Sequence, residues 1–304
     1  MIKKVLVTGS LGQLGSYLCE DLFKDDIEVI GLDNEINKCI EIKDEIDKIT
    51  VKGDIRNRKI VDKIMCEVDS VVHCAAQVSV DKSINNPIYD ADNNIIGTLN
   101  LLDSALKVGS INRFVFISTA AVYGNPVKLP IDETHPKNPL SGYGLSKLAA
   151  EKYVRMFYEI HKLPTVVIRP FNFYSKRSDP KSPYSGVITK FISRVKENKA
   201  PIIEGDGEQT RDFFYVQDVV NIIRASLIKE EAVGKAFNCG KGRQTSINEL
   251  SEIIIKLFDK DLEPVYVEKR KGDIKHSYSD VSKAKNLLEY NSEYSLKEGL
   301  EKII

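Results

Sequence analysis

The run Val5-Leu-Val-Thr8 reads as a buried strand, and Gly9, Gly12 and Gly15 follow it directly. Leu14, Leu18 and Leu22 then mark the apolar face of a helix from Gln13 to Phe23. A strand, a glycine turn and a helix in immediate succession constrain this chain more than any other feature. Glycines at the turn let a pyrophosphate approach the helix N-terminus, where free N–H groups and the helix dipole favour an anion. The spacing is G-x-x-G-x-x-G rather than the common dinucleotide fingerprint G-x-G-x-x-G. At 304 residues the chain can hold one large α/β domain and a smaller lobe.

The same rhythm continues. Strand patterns recur at Glu28–Asp33, Ile49–Asp54, Ser70–Ala76, Arg113–Ser118 and Thr165–Arg169, with helical stretches near 57–66, 92–107 and 143–160. Alternating strands and helices imply right-handed crossovers and a parallel sheet covered on both faces. The expected fold is therefore α/β, a doubly wound parallel sheet of Rossmann type. After Pro170 the alternation breaks at a polar, Pro-containing loop, 175–186. A helix at 187–198, a short strand at Ile202-Ile203, a helix over Val216–Ile228 and a strand at Ala236–Cys239 follow. A helix at 247–258, a strand at Pro264–Val267 and a terminal helix complete the pattern. The reading gives a cofactor domain of 1–170 plus 212–240 and a substrate lobe of 171–211 plus 241–304.

Lys+Arg and Asp+Glu both number 44, so no charge excess points to nucleic acid or an anionic membrane surface. The five cysteines form no CxxC pair and find no histidines at zinc spacing, which predicts free thiols, a reducing compartment and no metal site. No apolar run approaches the ~18 residues of a membrane span, and the N-terminus enters a strand without a signal pattern. A soluble cytoplasmic protein is expected.

Tyr143-Gly-Leu-Ser-Lys147 carries the chemistry. A tyrosine with its usual pKa near ~10 is a poor base at neutral pH. A lysine at i+4 on the same helical face can bring its ammonium to the phenol and favour the phenolate. Ser118-Thr119 ends the neighbouring strand and offers a hydroxyl to hold the substrate oxygen. With the glycine turn, these residues point to proton and hydride chemistry on an alcohol. Asp33, at the end of the second strand, can bond both ribose hydroxyls or cap the strand; Asn34 after it, in place of arginine, favours NAD over NADP. Asp54-Ile55 could flank an adenine or form an ordinary turn. His73 reads as a satisfied core histidine and Cys74 as a small buried hydrophobe. Asn94 is a poor helix former in mid-helix and is expected to bond buried backbone near the site.

Taken in order, these motifs resemble the extended short-chain dehydrogenase/reductase family, in its nucleotide-sugar epimerase/dehydratase branch. The resemblance also includes Tyr123-Gly124, Arg169-Pro-Phe-Asn172, Gly205-Asp-Gly, Thr210-Arg211-Asp-Phe and Arg270-Lys-Gly-Asp273, and it covers essentially the whole chain. Gly142, where proline often stands, and Ser175-Lys176, where Gly-Pro is usual before Arg177, depart from it. It implies a tightly held NAD, a UDP-sugar in the cleft under the C-terminal lobe and a homodimer through the helices near 92–107 and 143–160. The cofactor surface it implies comprises Gly9, Gly12, Gln13, Leu14, Gly15, Asp33, Asn34, Asp54 and Ile55. Cys74, Ala75, Ala76, Gln77, Asn94, Ser118, Tyr143, Lys147 and Phe171 complete that surface. The implied substrate surface comprises Ser79, Thr119, Tyr143, Asn172, Val187, Arg211, Arg270, Asp273 and Ser277.

Ala120 and Ala121 decide among activities within the branch. Dehydratases and decarboxylases of the family carry an acid or acid pair just after the Ser/Thr, and elimination needs an acid and a base within reach of C5 and C6. An alanine pair supplies neither. The resemblance therefore implies a UDP-hexose 4-epimerase, with Tyr143, Lys147 and Thr119 catalytic. Ser277 falls where a bulky tyrosine can close the sugar pocket, so a 2-acetamido sugar is expected beside UDP-glucose and UDP-galactose. The rival readings are a UDP-glucuronate 4-epimerase or decarboxylase, a nucleotide-sugar reductase, and a non-catalytic NAD-binding sensor or scaffold.

Overall fold

The computed structural model describes residues 2–178, 186–269 and 274–304. Six strands of the main sheet arise in the first part of the chain: β1 (Lys4–Thr8), β2 (Glu28–Asp33), β3 (Thr50–Lys52), β4 (Ser70–His73), β5 (Arg113–Ile117) and β6 (Thr165–Pro170). The strand Ala236–Cys239 joins the far edge beside β6, as the sequence suggests. The order across the sheet is Ala236–Cys239, β6, β5, β4, β1, β2, β3, with every pairing parallel. Strand order reverses between β1 and β4, and such a switch point opens a crevice at the carboxyl ends of the strands.

The pleat sorts the core. Val5 and Val7 of β1, with Val115 and Ile117 of β5, pack against the helices Gln13–Phe23 and Val216–Ile228. Leu6, Phe114 and Phe116 face the other way, onto the helices Arg58–Met65, Gly97–Val108 and Gly142–His161. A third cluster, including Tyr174, Phe191, Ile203, Leu250 and Leu300, forms the core of the lobe. Val281, Ala284 and Leu288 return to the first cluster, so the chain revisits the sheet before ending in the lobe.

Four details differ from the sequence reading. The expected strand Ser70–Ala76 stops at His73: the Cys74 N–H still makes a ladder bond to Thr8 O at 3.2 Å, but the Ala75 N–H donates to the Thr8 side chain, Oγ1, at 3.1 Å. The chain is thereby turned aside at the switch point. The third strand is only Thr50–Lys52. Asp92–Ile96 form a π turn leading into Gly97–Val108, a widening common at functional sites. The single terminal helix is two, Ser282–Leu288 and Leu296–Glu301, the second closed by a capping box of Ser295 and Glu298. No helix of the described residues is long and apolar enough to cross a membrane.

Candidate active site

A cavity of about 680 Å³ opens at the switch point, lined from the ends of β1, β2, β4, β5 and β6. Its floor is the glycine turn. Gly9 has φ +69°, and a Cβ there would lie 2.8 Å from the Ala75 backbone nitrogen, so only glycine lets the turn press against the segment after β4. Gly12 caps the first helix without a side-chain cap hydrogen bond, and that helix has no acid in its first turn. Gly12, Gln13 and Leu14 therefore bring the positive end of a helix to the cavity, which fits the pyrophosphate of a dinucleotide.

Asp33 stands on the rim, its Oδ2 accepting from the Leu11 N–H at 3.0 Å and its Oδ1 from the Glu35 N–H at 2.7 Å. The carboxylate thus caps the turn and still has acceptor capacity toward the cavity. Burial raises its pKa against those two N–H bonds. Asn34 and Ile55 also line the cavity, whereas Asp54 does not. Asp54 bonds Asn34 Nδ2 at 3.1 Å and the Arg56 guanidinium, which holds its carboxyl down at about 2. It thus supports Asn34 from behind.

Tyr143 and Lys147 lie one helical turn apart near the start of Gly142–His161, with Ser141 Oγ accepting from the Gly144 N–H at 3.1 Å as N-cap. Gly142, at the position where the family often has proline, sits where a Cβ would fall 2.8 Å from Ser83 O, so the helix start packs closely on Val80–Asn85. Thr119 faces the phenol from the end of β5. Its Oγ1 accepts from the Ala121 N–H at 3.1 Å, leaving the hydroxyl proton free to donate. Burial pushes the Tyr143 phenol up, a hydrogen bond with Thr119 pulls it down, and the Asp90 charge pushes it up. Lys147 is buried, its ammonium 4.1 Å from the centroid of the Phe116 ring. Burial brings its pKa down to about 7.

Ser118, Cys74, Ala75, Ala76, Gln77, Ser79, Phe171 and Asn172 all line the cavity. Asn94 stands behind its wall, where it accepts from the Gln77 N–H at 2.8 Å and donates to Gln77 O at 3.0 Å and Ser146 Oγ at 3.0 Å. Asn94 is thus outside the cavity lining, with the backbone bonding expected of it. His73 is held between Thr8 Oγ1 at 2.8 Å and Thr98 Oγ1 at 3.0 Å, a satisfied core histidine whose pKa burial lowers. Burial pushes Cys74 up to about 12, so it is an unreactive thiol at neutral pH.

The residues expected at the substrate are less assembled. Val187 opens the lobe helix Val187–Lys196 outside the cavity lining. Arg211 and Ser277 also lie outside it, gathered on one edge of the lobe where the Ser277 N–H donates to Thr210 O at 3.1 Å. Arg270 and Asp273 fall outside the described residues. Sequence reasoning missed Ile36 to Cys39, Lys82, Tyr89, Asn93, Phe173 and Arg177, which line the cavity too. Tyr89 carried a readable signal as an aromatic beside the Asn93-Asn94 pair, and Arg177 as the charge closing a motif already noticed. Loop 36–39 carried none.

Fold and site together define the extended short-chain dehydrogenase/reductase class with an epimerase/dehydratase architecture. The chain belongs to that NAD-dependent epimerase/dehydratase family: the family model described as GDP-mannose 4,6 dehydratase matches residues 6–303. The structure of UDP-glucose 4-epimerase from Thermotoga maritima, solved with UDP-glucose, is 36% identical with a TM-score of 0.93, covering 99% of this chain and 96% of its own. The UDP-N-acetylglucosamine 4-epimerase of Methanobrevibacter ruminantium, in complex with UDP-N-acetylmuramic acid, is 33% identical with a TM-score of 0.93, covering 99% and 98%. The UDP-glucuronic acid 4-epimerase of Bacillus cereus, with UDP-glucuronic acid and NAD, is 30% identical with a TM-score of 0.89, covering 98% and 97%.

Proposed function

We propose that the protein is an NAD-dependent UDP-sugar 4-epimerase acting on UDP-glucose and UDP-galactose, and on their 2-acetamido counterparts. One observation carries the reading. Among the described residues that line the cavity, Asp33 is the sole carboxylate, and it stands at the ribose end. Around Thr119 the lining offers Tyr143 and Lys147 for proton transfer and no acid for elimination; Ala120 and Ala121 occupy the 3₁₀ turn that Thr119 caps.

Bound NAD would supply a reversible hydride acceptor over the sugar C4. The chain's own residues do the rest. Thr119 donates to the O4 oxygen and Tyr143 takes its proton, with the Lys147 ammonium stabilising the phenolate. The 4-keto sugar turns about its diphosphate link, so that the hydride would return to the opposite face of C4 while Tyr143 gives the proton back to the O4 oxygen. Asp33 holds the adenosine ribose, and the first turn of Gln13–Phe23 holds the cofactor's pyrophosphate. Asn172, Arg211 and the 270–277 segment anchor the UDP moiety of the substrate, where charge-assisted contacts suit a ligand whose sugar must swing. The small Ser277 leaves space for an acetamido group. A C6 carboxylate would call for a cation at the cavity; Arg177 is paired with Glu20, and Lys82, over the Tyr89 ring, is the lining cation that keeps the glucuronate series as the second reading.

The cofactor unit of 1–170 plus 212–240 and the substrate lobe of 171–211 plus 241–304 divide these tasks. A homodimer is part of the proposal: Ile96, Leu145, Tyr153 and Ile160 are exposed apolar residues on the two helical segments that would meet. The five free cysteines suit a cytoplasmic setting.

Proton NMR of the protein with catalytic NAD and UDP-glucose, UDP-N-acetylglucosamine or UDP-glucuronate tests the reading. The galacto anomeric signal should grow from the first two. Conversion of the glucuronate alone would move the assignment to that sugar, and no conversion with NAD bound would end the epimerase reading.

A further inference from the structure

Three elements that carry active-site residues meet at one buried carboxylate outside the cavity. Glu151 lies one helical turn beyond Lys147 and is 7% exposed. Its Oε2 accepts from Ser118 Oγ at 3.0 Å and from Arg169 Nε at 3.0 Å, while Oε1 accepts from Arg169 Nη2. Ser118 directly precedes Thr119, and Arg169 stands in β6 just before Phe171 and Asn172. Arg169 Nη1 donates onward to the Tyr123 hydroxyl at 2.8 Å, which donates to Asn238 Oδ1 at 2.6 Å on the outer strand. A buried ion pair gives little net stability over well-packed apolar residues. What this one does is lock the catalytic helix to two strand ends.

Resting on the epimerase reading, we propose that Glu151 is the positioning residue of this site: through Ser118 it sets Thr119 against Tyr143, and it is a counter-charge to the Lys147 ammonium. The groups that face Lys147 support the second role. They are Glu151 on its own helix, Cys74 after β4, Asp90 from Pro87–Ala91, and His73 on β4. Cys74 and His73 are neutral at pH 7, which leaves Glu151 and Asp90 as the negative charges. Asp90 also receives the Gln77 amide at 2.7 Å and the Asn94 amide at 3.2 Å. Glu151 is instead shared with Arg169, so removing it takes a counter-charge from Lys147 and leaves the buried Arg169 guanidinium without its carboxylate.

The test separates register from charge and needs no substrate in one of its arms. Lysine-selective ¹⁵N NMR, assigned by the loss of a signal in Lys147→Met, follows the Lys147 titration in Glu151→Gln, Ser118→Ala and Glu151→Gln/Arg169→Gln. In Glu151→Gln the titration should move down by about one pH unit, and it should stay down in the double variant, which lacks the same counter-charge. Ser118→Ala should leave the titration in place and lower turnover roughly tenfold, and the two Glu151 variants roughly a hundredfold, since small misplacements in a reacting geometry are costly. In Glu151→Gln the alkaline limb of the kcat profile should follow Lys147 downward. Unchanged Lys147 titration in Glu151→Gln, or parental turnover in Ser118→Ala, would overturn the proposal. Failure of the parent protein to epimerise any UDP-sugar would strike the epimerase reading alone, because the titration arm stands without it.

Discussion

The proposed cofactor half and the proposed sugar half of the site are built from different materials. The cofactor half rests on strand ends and a helix start, where the backbone of Gly9 to Leu14 and the Asp33 carboxylate are held by the sheet itself. The residues proposed for the sugar half sit on paired strands of two or three residues: Asn172–Tyr174 beside Phe213–Tyr215, and Thr210–Arg211 beside Thr245–Ser246. Asn172 is exposed, and Arg211 and Ser277 lie away from the cavity lining. A dinucleotide that stays through many turnovers suits the first construction. A nucleotide-sugar that enters and leaves on each turnover suits the second, since short strands at a lobe edge open at low free-energy cost.

The sharpest way to break that comparison is at Tyr143, which faces both halves. Tyr143→Phe keeps the ring and removes the proton carrier. Turnover should fall by about a thousandfold or more, while NAD affinity measured by calorimetry stays within a few fold. A large loss of NAD affinity would mean that the phenol belongs to the cofactor half instead.

Lys147 tests whether the cofactor half carries a cost for its chemistry. Its folded-state pKa of about 7 lies below the ordinary lysine value, so between the two the unfolded chain binds the extra proton. Stability should therefore be lowest below pH 7 and rise as pH climbs from about 7 toward 10. The slope is about 1.4 kcal/mol per pH unit for one proton, or roughly 2.5 kcal/mol between pH 7 and 9. Urea denaturation of the cofactor-free protein across that range, compared with Lys147→Met, isolates the contribution. The variant should lose this slope and be the more stable protein at pH 6. Parallel curves for the two proteins would show that Lys147 keeps an ordinary pKa.

The two halves were also unequally legible in the sequence. Glycine spacing, strand-to-helix alternation and the Tyr143/Lys147 pair act over a few residues, and each dictates a backbone geometry that the sheet then enforces. The seven-stranded sheet was readable for that reason, and so was the set of expected cofactor residues that line the cavity. Asp54 and Asn94 were expected at the cofactor and lie outside the cavity lining, bonded to the lining residues Asn34 and Gln77, because a sequence shows that a polar residue is needed without showing which side of a wall it occupies. The two-residue strands Thr210–Arg211 and Thr245–Ser246 gave no periodic signal, since their pairing depends on a partner distant in the chain. Loop 36–39 reaches the cavity through the Cys39 N–H bonding to Leu11 O at 2.9 Å, a contact without a local pattern.

Within the sugar half, Arg211 should matter more than Ser277. Losing a charge-assisted contact to a diphosphate costs about 1.5–3 kcal/mol. Arg211→Ala should accordingly raise KM for a UDP-sugar by roughly thirtyfold, with NAD affinity unchanged. Initial-rate kinetics beside NAD calorimetry would show it, and a loss confined to NAD binding would place Arg211 in the other half.

Ser277 carries the smallest effect and the most specific one. The residue follows the undescribed 270–273 segment, half-buried, with its N–H tied to Thr210 O, so its backbone position is fixed from the strand beside Arg211. A substitution there changes side-chain bulk while the backbone bond remains. Ser277→Tyr adds a ring that would compete with a 2-acetamido group and leave a 2-hydroxyl untouched. kcat/KM for UDP-N-acetylglucosamine should fall about tenfold, the scale on which pocket shape discriminates, and that for UDP-glucose less than twofold. The ratio of the two values is the informative quantity, because damage to the lobe as a whole would lower both and leave it unchanged. An unchanged ratio would place the sugar's C2 substituent away from Ser277 and assign the pocket's size limit to the cavity wall at Lys82 and Tyr89.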